Sequence, residues 1–192
     1  MITNEELAGI IDALGALRED EICAIAEEIS FLRKEDFSTE PLTEMCRKAL
    51  DEHLIEIISS AEVKGADSDA SHPGGKNYYI PGPNAFPDIP FELSEAIDIL
   101  MMSKREVDLE RVSESFSANL HKQAMELGGD ISSFSKTRIS EAGLSALAER
   151  YSNLLNLYCD YDSWLPGGMD GIEDELQELS RKLEKLRAAQ GI

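Results

Sequence analysis

Apolar side chains recur at helical spacing through the first fifty residues, switch to a short alternating run, then return to helical spacing in the second half. Thr3 and Glu6 form a capping box flanked by Ile2 and Leu7. The stripe Leu7, Ile10, Ile11 and Leu14 predicts a first helix behind it. A break near 17–19 precedes a second stripe, Ile22, Ile25, Ala26, Ile29 and Leu32, ending at the cations Arg33 and Lys34. Ser38–Thr39 open a third helix with Pro41 in its first turn and an inward face of Leu42, Met45, Cys46, Ala49 and Leu50. Residues 54–59 read as a strand and 77–80 as its return, with a polar stretch over 60–75 between them.

Three helices followed by a β-hairpin is the order of a winged-helix-like unit. Residues 81–90 then hold four of the seven prolines and predict a stiff, extended exit pinned by Phe86 and Ile89. The expected division is 1–90 for the winged-helix-like unit and 91–192 for a helical C-terminal unit. In the latter, Leu93, Ile97, Leu100 and Met101 mark one helix. Leu109, Val112, Phe116, Leu120 and Leu127 mark another, stopped at Gly128-Gly129. Leu144 to Tyr158 mark a third, broken by Trp164-Leu165-Pro166-Gly167-Gly168, and a last helix starts near Asp170. The fold class is therefore mostly α.

The last helix has the sharpest period. Ile172, Leu176, Leu179, Leu183 and Leu186 step by 4, 3, 4 and 3, the spacing of a coiled-coil seam. The seam serves either to pack the helix on its own unit or to join two chains. These five residues are the candidates for self-association as a homodimer.

Charge changes the meaning of the N-terminal architecture. The 192-residue chain carries 38 acidic and 18 basic side chains, a formal net charge of −20. Such a field repels nucleic acid and anionic lipid heads. The third helix, which would read DNA, presents Glu40, Thr43, Glu44, Arg47, Lys48, Asp51 and Glu52 outward, four acids against two bases. A DNA-binding alternative would have to rest on Thr43, Arg47 and Lys48, helped by Lys64 and Lys76 of the hairpin. Nucleic acid is disfavoured by charge, and a solvated or protein-docking face fits better.

Enzyme signatures do not occur: no nucleophile elbow, phosphate-binding loop, dinucleotide fingerprint or zinc-binding helix motif is found. The expectation is a non-enzyme with no catalytic residue, cofactor or metal. Asp160-Tyr161-Asp162 alternates carboxylates as a calcium loop does. Leu165 and Gly171 nevertheless stand where such a loop needs glycine and glutamate. Cys23, Cys46 and Cys159 have no paired spacing and suit a reducing cytoplasm. No apolar run is long enough for a membrane span.

At Gly82-Pro83-Asn84-Ala85-Phe86-Pro87 and Tyr161-Asp162-Ser163-Trp164 the chain resembles an acidic family of uncharacterised proteins from halophilic archaea. The order of parts is similar too: an amphipathic, winged-helix-like N-terminal region, a hairpin, a proline-rich exit and helices. The resemblance implies a cytoplasmic archaeal protein whose acidity is salt adaptation. It implies no activity, substrate or catalytic residue. The expected function is a protein-interaction or assembly module, with a DNA-binding transcriptional regulator as the alternative.

Overall fold

The computed structural model describes residues 2–64, 77–134 and 140–190. Helices dominate. The element order is α1 (Asn4–Leu14), α2 (Glu19–Arg33), α3 (Thr39–Asp51), β1 (Ile55–Ser59), a 3-10 turn (Ser60–Glu62), β2 (Val63–Lys64), β3 (Asn77–Pro81), α4 (Leu93–Leu100), β4 (Glu106–Val107), α5 (Leu109–Phe134), α6 (Glu141–Trp164) and α7 (Ile172–Gln190).

The capping box at α1 forms as expected. The Glu6 amide donates to Thr3 Oγ1 at 3.2 Å and the Thr3 amide to Glu6 Oε2 at 2.9 Å. The strands β1 and β3 pair antiparallel, with Ile55 opposite Pro81 and Ser59 opposite Asn77. Leu17, between α1 and α2, adds a bridge on the far side of β3: its amide donates to Tyr79 O and accepts the Tyr79 amide on its own carbonyl. The three helices and the β1–β3 hairpin follow one another in the order that the periodicity predicts. A second small pairing, β2 with β4, brings Val63 opposite Val107. Its two-residue strands are too short to leave a period in the sequence.

The chain divides into two compact units, Met1–Asp108 and Leu109–Ile192. The division therefore falls well past the proline-rich segment expected to mark it. The cause is packing. Leu93 and Ala96 of α4 are buried in the same core as Leu7, Ile11, Ile25, Ile29, Leu42 and Cys46. Burying a side chain the size of Leu93 stabilises by roughly 1.5–3 kcal/mol.

The proline-rich segment is itself strapped to the first unit. The Gly82 amide donates to Leu54 O at 2.9 Å, and Asn84 Nδ2 caps α3 by donating to Glu52 O at 3.1 Å. Further on, the Asp88 amide donates to Glu5 O at 2.9 Å, where the chain crosses α1 at Gly9. Phe86 and Ile89 do not pin it. Both are exposed, and Pro90 is buried in their place.

In the second unit α7 packs on α5 and on α6. The helix α5 runs through Gly128-Gly129 to Phe134 instead of stopping there. Ile131 extends the buried stripe Val112, Phe116, Leu120, Ala124 and Leu127 by one more turn. That tertiary packing outweighs a glycine penalty of roughly 1 kcal/mol per residue. The break after Trp164 is real, with Gly167 and Gly168 both at positive φ. Asp162, read above as a weak calcium hint, accepts the Met169 amide at 2.8 Å and so holds this turn.

Candidate functional site

The third-helix face was the first candidate, and its cations are matched by carboxylates at close range. Arg47 donates Nε and Nη2 to the two oxygens of Glu44, at 2.9 and 2.8 Å, and Nη1 to Asp51 at 2.8 Å. Lys48 Nζ lies 3.7 Å from Glu44. Lys64 pairs with Glu106 across the β2–β4 ladder. The Thr43 hydroxyl is turned back onto Thr39 O at 3.2 Å. Lys76 lies outside the described residues. The Arg47 guanidinium, first through its hydrogen bond, holds the Glu44 carboxyl below its usual range. The folded face thus keeps the acid excess that the sequence shows.

The heptad-spaced helix is resolved differently. Ile172, Leu176, Leu179, Leu183 and Leu186 are each only 2–5% exposed. They form part of the core of the second unit, where α7 packs against α5 and α6. The periodicity was informative about α7. It could not say whose helices would fill the seam.

A different surface emerges between residues 86 and 101. Phe86, Ile89, Phe91, Ile99 and Met101 all point to solvent, with Phe91 99% and Met101 90% exposed. Local geometry explains four of them. Gly9 admits the Asp88 backbone against α1, which sets Ile89 and Phe91 outward while Pro90, Leu93 and Ala96 turn in. Phe91, Glu95 and Ile99 follow one another at intervals of four, so they share the outward face of α4 and its first turn. Met101, expected in the inward stripe, ends α4 with φ at +51°, and the left-handed turn throws its side chain out.

This surface is acidic as well as apolar. Across 82–102 the charged residues are Asp88, Glu92, Glu95 and Asp98, without one base. Glu92 is tied down by Arg33, which spans Glu92 Oε2 at 2.9 Å and Glu6 Oε1 at 2.5 Å. Those hydrogen bonds from Arg33 hold both carboxyls below their usual range. Among the described residues, Asp88, Glu95 and Asp98 form no ion pair. The sequence did carry a signal here: three large apolar residues set among prolines and acids, with no partner stripe at either helical or strand spacing.

Other polar clusters serve the fold. The Glu21 carboxylate accepts the Arg18 amide at 2.8 Å at the start of α2 and both Arg105 Nη atoms, at 2.8 and 2.6 Å. Arg105 also lies 5.3 Å from the Tyr78 ring centre and donates to Ala16 O. This knot fastens the chain after α4 to the α1–α2 corner. His53 Nδ1 lies 2.7 Å from Glu56 at the end of α3. In the second unit a groove of about 420 Å³ runs between α5 and α7 beside Met125, Gly128, Gly129 and Glu175. His121 Nδ1 meets Glu175 Oε1 at 2.6 Å. Among the described residues no three His, Cys, Asp or Glu side chains converge as a metal site would require, and no helix is long and apolar enough to cross a membrane.

Comparison with known proteins gives a family without a role. The chain belongs to a family of unknown function, DUF7109, whose pattern matches residues 5–181. No curated protein and no solved structure matches it.

Proposed function

We propose that this acidic chain is a non-enzymatic protein-interaction or assembly module on a winged-helix-like scaffold, working in a salt-adapted archaeal cytoplasm. The observation that carries this reading is the row of exposed apolar side chains on the proline-rich segment and α4. Clustered exposed apolar groups commonly mark docking sites. Aromatic side chains and Met supply most of the area here, the composition favoured at interface centres. The partner is another protein or a second copy of the chain.

The rival reading is a transcriptional regulator using Thr43, Arg47, Lys48, Lys64 and Lys76. The helix–hairpin order and the exposure of Arg47 favour it, and the carboxylates around each cation oppose it. Titration of labelled duplex DNA of mixed sequence at low and high salt separates the two. The docking reading expects no binding at either salt. Binding that weakens as salt rises, and disappears in Arg47→Ala, would give the face to DNA.

A further inference from the structure

The apolar row and the acids that flank it limit the chemistry of what can cover them. Phe91 lies in the turn just before α4 and Ile99 in its last turn, eight residues on. Met101 is exposed at the C-terminal end of α4, with a flexible side chain that adapts to a partner's shape. Asp88, Glu95 and Asp98 are interspersed with these residues along the chain, exposed and without an ion pair among the described residues. A neutral apolar partner would strip water from those carboxylates and offer nothing in return, which is costly. A partner with cations beside its apolar residues would satisfy both features of the surface.

We propose that the outward face of residues 86–101 docks a basic amphipathic segment of another protein. Its apolar side chains meet Phe91, Ile99 and Met101, and its lysines or arginines meet Asp88, Glu95 and Asp98. The inference rests on the protein-docking reading and names the class of partner. A second copy of this chain is a poor occupant. Its most basic stretch, Arg181 to Arg187, has Leu183 and Leu186 buried in its own core, so it offers charge without an apolar face. Nucleic acid and anionic membranes are repelled by the same carboxylates. The net charge of −20 would also steer a cationic segment toward the chain and raise its association rate.

The test uses the full-length protein and short fluorescein-labelled peptides. One peptide alternates Leu and Lys at helical amphipathic spacing. A second keeps that spacing with Gln for Lys, and a third keeps the Lys count with Gly and Ser for Leu. The Leu/Lys peptide should bind at least about tenfold more tightly than either control. Its affinity should fall by about tenfold or more in the combined variant Phe91→Ser, Ile99→Ser, Met101→Ser. It should fall severalfold in Glu95→Gln, Asp98→Asn. These positions are solvent-facing, so an unchanged thermal melt verifies that each variant folds. If the Leu/Gln peptide binds as tightly and still needs Phe91, Ile99 and Met101, the docking surface stands and the basic partner is wrong. If no peptide responds to the apolar substitutions, both the surface and the partner class are overturned. Equal binding by the peptide without Leu would reduce the effect to bulk charge and overturn the proposal as well.

Discussion

The carbonyl oxygen of Asp88 packs onto α1 so closely that a Cβ on Gly9 would lie 2.0 Å from it. The Asp88 amide donates to Glu5 on the same helix, so the crossing chain is fixed by its backbone, which has little room to give. Gly9→Ala should therefore destabilise the first unit. The clash costs up to about 3 kcal/mol, and the better helix propensity of alanine returns roughly 1 kcal/mol of it. Gly129→Ala should do the reverse. Nothing lies within 4 Å of its added Cβ, and the site is interior to α5. A gain of about 1 kcal/mol is expected. Urea unfolding of the two variants beside the parent tests both signs.

Arg33 bridges Glu6 and Glu92, joining α1 and α2 to the start of α4. Both carboxyls are held below their usual value of 4.5 by the Arg33 guanidinium. A group with a lowered folded pKa contributes stability that is fully present above its unfolded pKa. That stability is lost as pH falls through the folded value. Arg33→Met should cost about 2 kcal/mol near neutral pH. The gap between variant and parent should narrow below pH 4.5. Denaturant melts of both proteins across that range give the difference directly. The comparison cancels the general relief of repulsion that acid brings to so acidic a chain.

The three cysteines should react in order of burial. Cys159 is exposed, Cys23 is half-buried and Cys46 is buried, where desolvation pushes its thiol up to about 11. Thiol reagents attack the thiolate. At neutral pH in the folded protein, Cys159 should label first and Cys46 last, with Cys46 becoming reactive only on unfolding. Mass spectrometry of a labelling time course with and without denaturant reads this out.

Leu179 is buried in the second unit, and its Cδ2 would lie 3.3 Å from a Cβ on Gly128. Leu179→Ala should destabilise by roughly 2–5 kcal/mol, as core truncations do. It should leave the mass of the folded protein in light scattering unchanged. A change of mass without loss of stability would return this residue to an interface between chains.

Much of the fold was legible because its elements carry local signals. Thr3 and Glu6 announced α1, Pro41 suited the first turn of α3, and the two strands announced themselves by β-branched and aromatic runs. What was not legible depended on contacts distant in sequence. The four prolines of 81–90 looked like a boundary, yet Gly9 and Asn84 strap that segment to α1 and α3. Gly128-Gly129 looked like a stop, yet Ile131 continues the buried stripe past it. For the candidate site, composition correctly exposed the acid excess on α3. The apolar row escaped notice because Phe86, Ile89 and Met101 were assigned inward by hydrophobicity alone. The orientation of Ile89 is set by a backbone crossing and that of Met101 by its left-handed φ, and neither has a sequence period.

The central claim is that the apolar face of residues 86–101, not the cationic positions of α3, engages the partner. The most direct measurement is quantitative affinity capture from a lysate of the source organism, comparing three baits. These are the parent protein, Phe91→Ser with Ile99→Ser and Met101→Ser, and Arg47→Ala with Lys48→Ala. The account predicts a protein retained by the parent and by the Arg47/Lys48 variant, lost from the apolar variant, and bound again when purified and mixed with the parent. Retention by the apolar variant, with loss from the Arg47/Lys48 variant, would contradict it.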